Sequence, residues 1–134
     1  GDELVSEMGE GLLALVGVAR EYAAADAPEL ARRIANLRIF EDEAGRMNRS
    51  LLETGGSLCV VSQFTLLGDA RQGRRPTFSA AAPPELAEPL VDALVAAARA
   101  LGLTVVTGRF RARMDVALVN AGPVTILLAT AKQF

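Results

Sequence analysis

Short apolar runs alternate in this chain with two stretches of helical period, and that alternation constrains the fold more than anything else in it. The run at 12–18 is far shorter than the roughly 18–20 residues a membrane helix needs. It reads as a buried strand. Residues 57–66 carry Leu58, Val60, Val61, Phe64 and Leu66 and read as another strand. Residues 103–107, 114–119 and 124–129 give three more. At 3–8, Leu4, Ser6 and Met8 alternate with Val5 and Glu7, as in a half-exposed strand. Between these runs, Asp26-Ala27-Pro28-Glu29 has the form of a helix start with a capping box. Leu30, Ile34 and Leu37 give that helix an apolar face. Pro83-Pro84-Glu85 opens a longer helix, where Leu86, Leu90, Leu94, Ala97 and Leu101 recur at helical spacing before Gly102. Gly9-Glu10-Gly11 and Gly55-Gly56 read as turns, 41–48 as a polar hairpin around Ala44-Gly45, and 67–82 as a long loop. With no repeat and no linker, the expectation is one mixed α/β domain over 1–134, with two helices on one sheet face.

Composition removes most familiar catalytic machinery. The chain has no His, so it cannot build a triad around an imidazole or offer an imidazole metal ligand. One Cys excludes an internal disulfide and a four-cysteine zinc site. No metal site and no cofactor are therefore expected. An apolar fraction of 51% supports a real core, and 4% aromatics mean that Ala, Val, Leu and Ile must fill it. The sequence shows no signal peptide and no membrane span, so a cytoplasmic protein is expected, and the lone thiol Cys59 fits that compartment.

A net charge of -2 argues against coating long nucleic acids by charge alone. The charge is unevenly spread. Eleven acids face six Arg up to Glu53, whereas five acids face seven Arg and one Lys beyond it. Arg71, Arg74, Arg75 and Arg109, Arg111, Arg113 lie in the basic half. They could meet an anionic ligand or form an ordinary solvated surface.

Two strand ends could carry chemistry. Ser62-Gln63-Phe64-Thr65-Leu66 places two hydroxyls and an amide at the end of a buried strand, just before the basic loop. Such groups need hydrogen-bond partners, and neighbouring backbone alone could supply them. Asn120-Ala121-Gly122-Pro123-Val124-Thr125 combines a residue that permits close backbone approach with one that permits a cis bond. By itself it reads first as an ordinary hairpin turn.

Together, the two segments resemble the Ser-Gln-x-x-Leu and Asn-x-x-Pro-x-Thr motifs of the D-aminoacyl-tRNA deacylase family. Intervening blocks match too: Arg38-Ile39-Phe40, Gly45-Arg46-Met47-Asn48, Gly73, Arg75-Pro76-Thr77-Phe78-Ser79, Thr107-Gly108-Arg109-Phe110 and Met114-Asp115-Val116. The resemblance runs from about Gly9 to Leu128. Family members begin with a further strand carrying Gln-Arg-Val. The match here starts after it, so the domain is expected without that strand.

The resemblance implies a homodimer, joined through the sheet, that hydrolyses the ester between a D-amino acid, or glycine, and the terminal adenosine of tRNA. It implies that Gly122 and Pro123, as a cis peptide, enter the partner's site and exclude L side chains, with Asn120 in the same motif. It assigns Ser62 and Gln63 to the ribose and carbonyl, the N–H groups near Phe64 and Thr65 to the developing oxyanion, and Phe64 to the wall of the adenosine pocket. Thr65 as nucleophile ranks below water attack assisted by the tRNA's own 2′-hydroxyl, because no evident base would activate it. Arg71, Arg74, Arg75 and Arg109 would meet acceptor-stem phosphates. Two other readings compete. One is a deacylase with a trans Gly-Pro that clears small L-amino acids. The other is a non-catalytic nucleic-acid-binding module on the same fold.

Overall fold

Three of the apolar runs form one parallel sheet. In the computed structural model, which describes residues 3–21 and 26–131, β1 (Gly11–Val16) pairs with β4 (Ser57–Ser62), and β4 pairs with β5 (Thr104–Thr107). Both pairings are parallel, with Gly11 opposite Ser57, Val16 opposite Ser62, and Val60 opposite Thr107. Parallel neighbours need long crossovers, and the chain supplies them as helices. α1 (Asp26–Asn36) lies on the first crossover, and α3 (Pro84–Ala100) on the second. The polar hairpin β2 (Phe40–Glu41) and β3 (Met47–Arg49) also sits on the first crossover.

α1 and α3 pack against each other and against one face of the sheet, as expected. Alanine sets how closely they approach. The buried stripe of α1 is Ala27, Ala31, Ile34 and Ala35; that of α3 is Ala87, Leu90, Val91, Leu94, Val95 and Ala98. The α3 stripe differs from the leucine series expected from sequence. Leu86 and Leu101 are exposed, because the small Ala87 and Ala98 turn inward instead. The helices and the sheet enclose Leu51, Leu58, Val60 and Leu94, which are essentially solvent-free. Among the described residues, no helix is long and apolar enough to cross a membrane.

Three expectations need correction. A one-turn helix, α2 (Leu51–Thr54), joins the two expected helices. Its signal was in the sequence: Ser50 and Glu53 form a capping box, with Ser50 Oγ accepting from the Glu53 N–H at 3.2 Å and Glu53 Oε1 from the Ser50 N–H at 3.1 Å. The strand expected at 57–66 stops at Ser62. Segments 3–8 and 114–119 carry a strand-like alternation and 124–129 an apolar run, yet none is a strand. A strand exists only through a hydrogen-bonded neighbour, and these segments have no ladder partner among the described residues. The segment 68–82 is a loop, as expected, and it is tied down within the chain. A bridge between Asp69 and Thr77 closes it at its middle, and another between Ala19 and Ala81 lays its end beside β1.

Ser50 is the buried polar group on which α2 depends. Ser50→Ala is expected to lower stability by about 1 kcal/mol, seen as a reduced denaturant midpoint at unchanged slope. Glu53→Gln keeps an acceptor and should cost less. Equal stability of Ser50→Ala and the parent would contradict the capping role.

Candidate active site

β4 delivers the first motif to the carboxyl end of the parallel sheet, where α/β folds characteristically bind ligands. The last bond of the β1–β4 ladder runs from the Gln63 N–H to the Val16 carbonyl at 2.7 Å. The chain then winds into a 3₁₀ turn, Phe64–Leu67. Gly17 makes room for that turn. A Cβ on Gly17 would lie 2.5 Å from Leu67 Cδ2 and 3.2 Å from the Gln63 carbonyl oxygen. Gly17 therefore belongs to the site's support, although the sequence analysis passed over it. The signal was a glycine interrupting an apolar run, which marks close backbone approach.

The turn sorts the motif's side chains. Gln63 Nε2 donates to Thr65 Oγ1, so these two groups stand together. Phe64 is 56% exposed, and its ring meets Phe78 edge-on with centroids 5.2 Å apart. Phe64 and Thr65 occupy the first positions of the turn, whose N–H groups have no acceptor within it. Ser62 is half-buried and lines a cavity of about 320 Å³ together with Val60, Thr107, Arg109 and Met114. Cys59 lies on the same strand, and burial pushes its thiol pKa up, which disfavours the nucleophilic thiolate.

The second motif forms a self-bonded loop. Asn120 Nδ2 donates to Thr125 Oγ1 at 3.0 Å, and Asn120 Oδ1 accepts from the Val124 N–H at 3.4 Å. The motif's two polar ends thus close on each other and hold Gly122 and Pro123 at an exposed tip. The Gly122–Pro123 bond is cis. Gly122 has φ +121, a region that side-chain-bearing residues rarely adopt, and a Cβ there would meet Val124 Cγ2 at 2.9 Å. Among the described residues, no hydrogen bond, ion pair or ring contact joins this loop to the Gln63–Thr65 turn of the same chain.

The four basic residues fall into two kinds. Arg71 forks onto Asp69 through Nε at 2.9 Å and Nη2 at 2.6 Å, while its own N–H also donates to Asp69 Oδ1 at 3.0 Å. These bonds hold the Asp69 carboxyl at a pKa of about 2. Arg109 forks onto Glu3 at 2.8 and 3.2 Å and lowers that carboxyl's pKa as well. Arg74 and Arg75 are exposed and have no ion pair among the described residues. No group of three or more His, Cys, Asp or Glu among those residues is placed to hold a metal.

The arrangement offers positioned amides, hydroxyls and backbone donors beside a cationic loop. That is chemistry suited to an already activated ester rather than to a strong nucleophile. The model of the D-Tyr-tRNA(Tyr) deacylase family matches residues 1–129. The chain is 60% identical over 131 residues to the D-aminoacyl-tRNA deacylase of Roseiflexus sp. (strain RS-1), covering 98% of this chain and 84% of that protein. It is 61% identical to that of Thermomicrobium roseum, covering 96% and 84%. Among solved structures, a c-Myc DNA unwinding element binding protein superposes with TM-score 0.88 at 35% identity, over 96% of this chain and 89% of that one. A probable eukaryotic D-amino acid tRNA deacylase shares the fold, with TM-score 0.70 at 16% identity over 79% and 77%. The chain belongs to the D-aminoacyl-tRNA deacylase family.

Proposed function

We propose that this chain hydrolyses the ester of D-aminoacyl-tRNA as a homodimer in which each protomer's Gly122-Pro123 tip enters the other's site. The deacylase activity itself rests on the family match over residues 1–129. The observation that carries the cross-subunit reading is the exposed tip held by Asn120 and Thr125, with no hydrogen bond, ion pair or ring contact to its own chain's Gln63–Thr65 turn among the described residues.

In this reading, Ser62 and Gln63 orient the terminal ribose and the ester carbonyl. The N–H groups of Phe64 and Thr65 receive the developing oxyanion, each such donor being worth about 10²–10³ in rate. The Gln63–Thr65 hydrogen bond favours Thr65 as a positioned group rather than a nucleophile, since a donating amide does nothing to deprotonate it. Phe64, braced by Phe78, walls the adenosine. Water attacks with help from the tRNA 2′-hydroxyl. Carbonyls of the Gly122-Pro123 tip hold the α-amino group and leave no space for an L side chain, which is selectivity by exclusion. Glycine mischarged on the alanine tRNA has no side chain to exclude and would also be cleaved. Cationic side chains of the patch meet acceptor-stem phosphates.

The first test compares D-Tyr-tRNA with L-Tyr-tRNA. Selective release of D-Tyr is expected, whereas equal rates would sink the filter. Preference for small L-aminoacyl-tRNA would favour the related L-specific deacylase. No hydrolysis, with binding that survives Ser62→Ala and Gln63→Ala, would leave only a nucleic-acid-binding role. Gly122→Ala should lower D-substrate turnover by about 10²-fold, the order expected when a positioning element shifts by an ångström. Its circular dichroism spectrum should stay unchanged. An unfolded variant would make Gly122 a structural turn residue instead.

The dimer is tested separately. Segment 109–131 exposes Val116 at 46%, Leu118 at 57%, Val119 at 91% and Leu127 at 65%, an apolar surface that a second copy would cover. The wild-type protein should sediment as a dimer. Val116→Glu with Leu118→Glu should give an inactive monomer, and a fully active monomer would exclude the shared site.

A further inference from the structure

The four arginines of the basic patch differ in one respect that composition hides: among the described residues, two carry a carboxylate partner and two do not. We infer that Asp69 and Glu3 withdraw Arg71 and Arg109 from phosphate contact, so that Arg74 and Arg75 alone bind the tRNA backbone through the loop. This rests on the tRNA-binding reading of that loop and assigns its working residues.

The geometry of the loop supports the division. Asp69 and Thr77 exchange backbone hydrogen bonds at 2.8 and 2.9 Å, closing residues 70–76 into an arch. Arg71 sits at the foot of the arch and folds back onto Asp69 through three donors. Two of those donors form a planar fork, the geometry in which a guanidinium binds a carboxylate or a phosphate best. With the fork engaged, the pair has no net charge. A phosphate drawn to Arg71 must also approach the Asp69 carboxylate, whose repulsion offsets much of the attraction. Asp69 is thus a positioning residue. Its backbone closes the arch, and its side chain pins Arg71 to the base.

Arg74 and Arg75 lie on the far side of the arch, exposed and with no ion pair among the described residues. Pro76 follows them and stiffens the return to Thr77. Phe78 comes next, and its edge contact with Phe64 joins the arch to the catalytic turn. Arg20 adds a second tie, donating from Nε to the Ser79 carbonyl at 2.6 Å. Phosphates gripped by Arg74 and Arg75 would therefore sit at a fixed offset from the Gln63–Thr65 turn. Arg109 resembles Arg71: its fork is filled by Glu3, from the opposite end of the sequence.

The salt dependence of binding counts phosphate contacts, because each one neutralised contributes about 0.7–0.9 to the slope of log K against log salt. Uncharged, deacylated tRNA is titrated into the full chain by fluorescence anisotropy between roughly 50 and 200 mM NaCl, the range over which such slopes are read. Arg74→Ala with Arg75→Ala should flatten the slope by about 1.5, the loss of two contacts. Arg71→Ala should leave it unchanged. Asp69→Asn keeps an oxygen acceptor for the Arg71 N–H but releases the guanidinium, and should steepen the slope by about one contact. Glu3→Gln should do the same through Arg109.

Nuclear magnetic resonance titration of Asp69 checks the pair in solution. Its midpoint should be about 2 in the parent and move up toward the ordinary 3.8 in Arg71→Ala. The pair holds above the ordinary carboxylate range and is lost as pH falls through the depressed folded value. A wild-type slope near zero would overturn the tRNA-binding reading itself. A steep wild-type slope that Asp69→Asn leaves unchanged, or that Arg71→Ala flattens like the loss of a free arginine, would overturn only the division of labour.

Discussion

The hydrogen bond from the Gln63 N–H to the Val16 carbonyl fixes where this site can be. It is the final bond between β1 and β4, and it comes one residue after the Val16–Ser62 pair. Beyond it the ladder has no further partner, so the backbone is free to turn, and Gly17 leaves the space for it. Everything polar in the first motif then falls at one sheet end. Shifting the pairing by one residue would move every side chain to the opposite face and scatter the motif between core and solvent. The alanine faces of α1 and α3 serve the same end, because they hold the sheet flat against the helices and leave the strand ends open.

Around this fixed turn the molecule is built from clamps rather than from mass. Asn120 and Thr125 close the Gly122-Pro123 loop, Asp69 and Thr77 close the basic arch, and Ser50 and Glu53 close α2. Each uses short-range hydrogen bonds to hold a few residues in one shape. That suits a chain with few aromatics and no imidazole. An aminoacyl ester needs little activation, so positioned donors can do for it what a catalytic triad does for a less reactive bond.

Much of this was legible in the residues. The three strands of the sheet, though not their parallel pairing, the start of α1 at Asp26, the start of α3 at Pro84 and the 41–48 hairpin followed from periodicity and punctuation. Those signals are local and need no knowledge of neighbours. The failures share one cause. Segments 3–8 and 114–119 alternate as strands do, and 124–129 has the apolar content of one, but whether a segment becomes a strand depends on a hydrogen-bonded neighbour that its own residues do not encode. The leucine series of α3 misled for a related reason, since which stripe faces inward is decided by the partner helix.

The sequence by itself determined the chemical inventory and the two motifs: hydroxyls and an amide at Ser62, Gln63 and Thr65, a glycine-proline pair at Gly122 and Pro123, and a cluster of guanidiniums. Residue identity alone settles which groups exist and which are missing. Only the tertiary structure decided how those groups are used. It showed that Gln63 bonds Thr65, that Phe78 braces Phe64, and that, among the described residues, Arg71 and Arg109 are engaged in ion pairs while Arg74 and Arg75 are not. The physical reason is that a charge or donor acts through what lies within a few ångströms of it. Glu3 and Arg109, at opposite ends of the sequence, become neighbours only after the chain has folded.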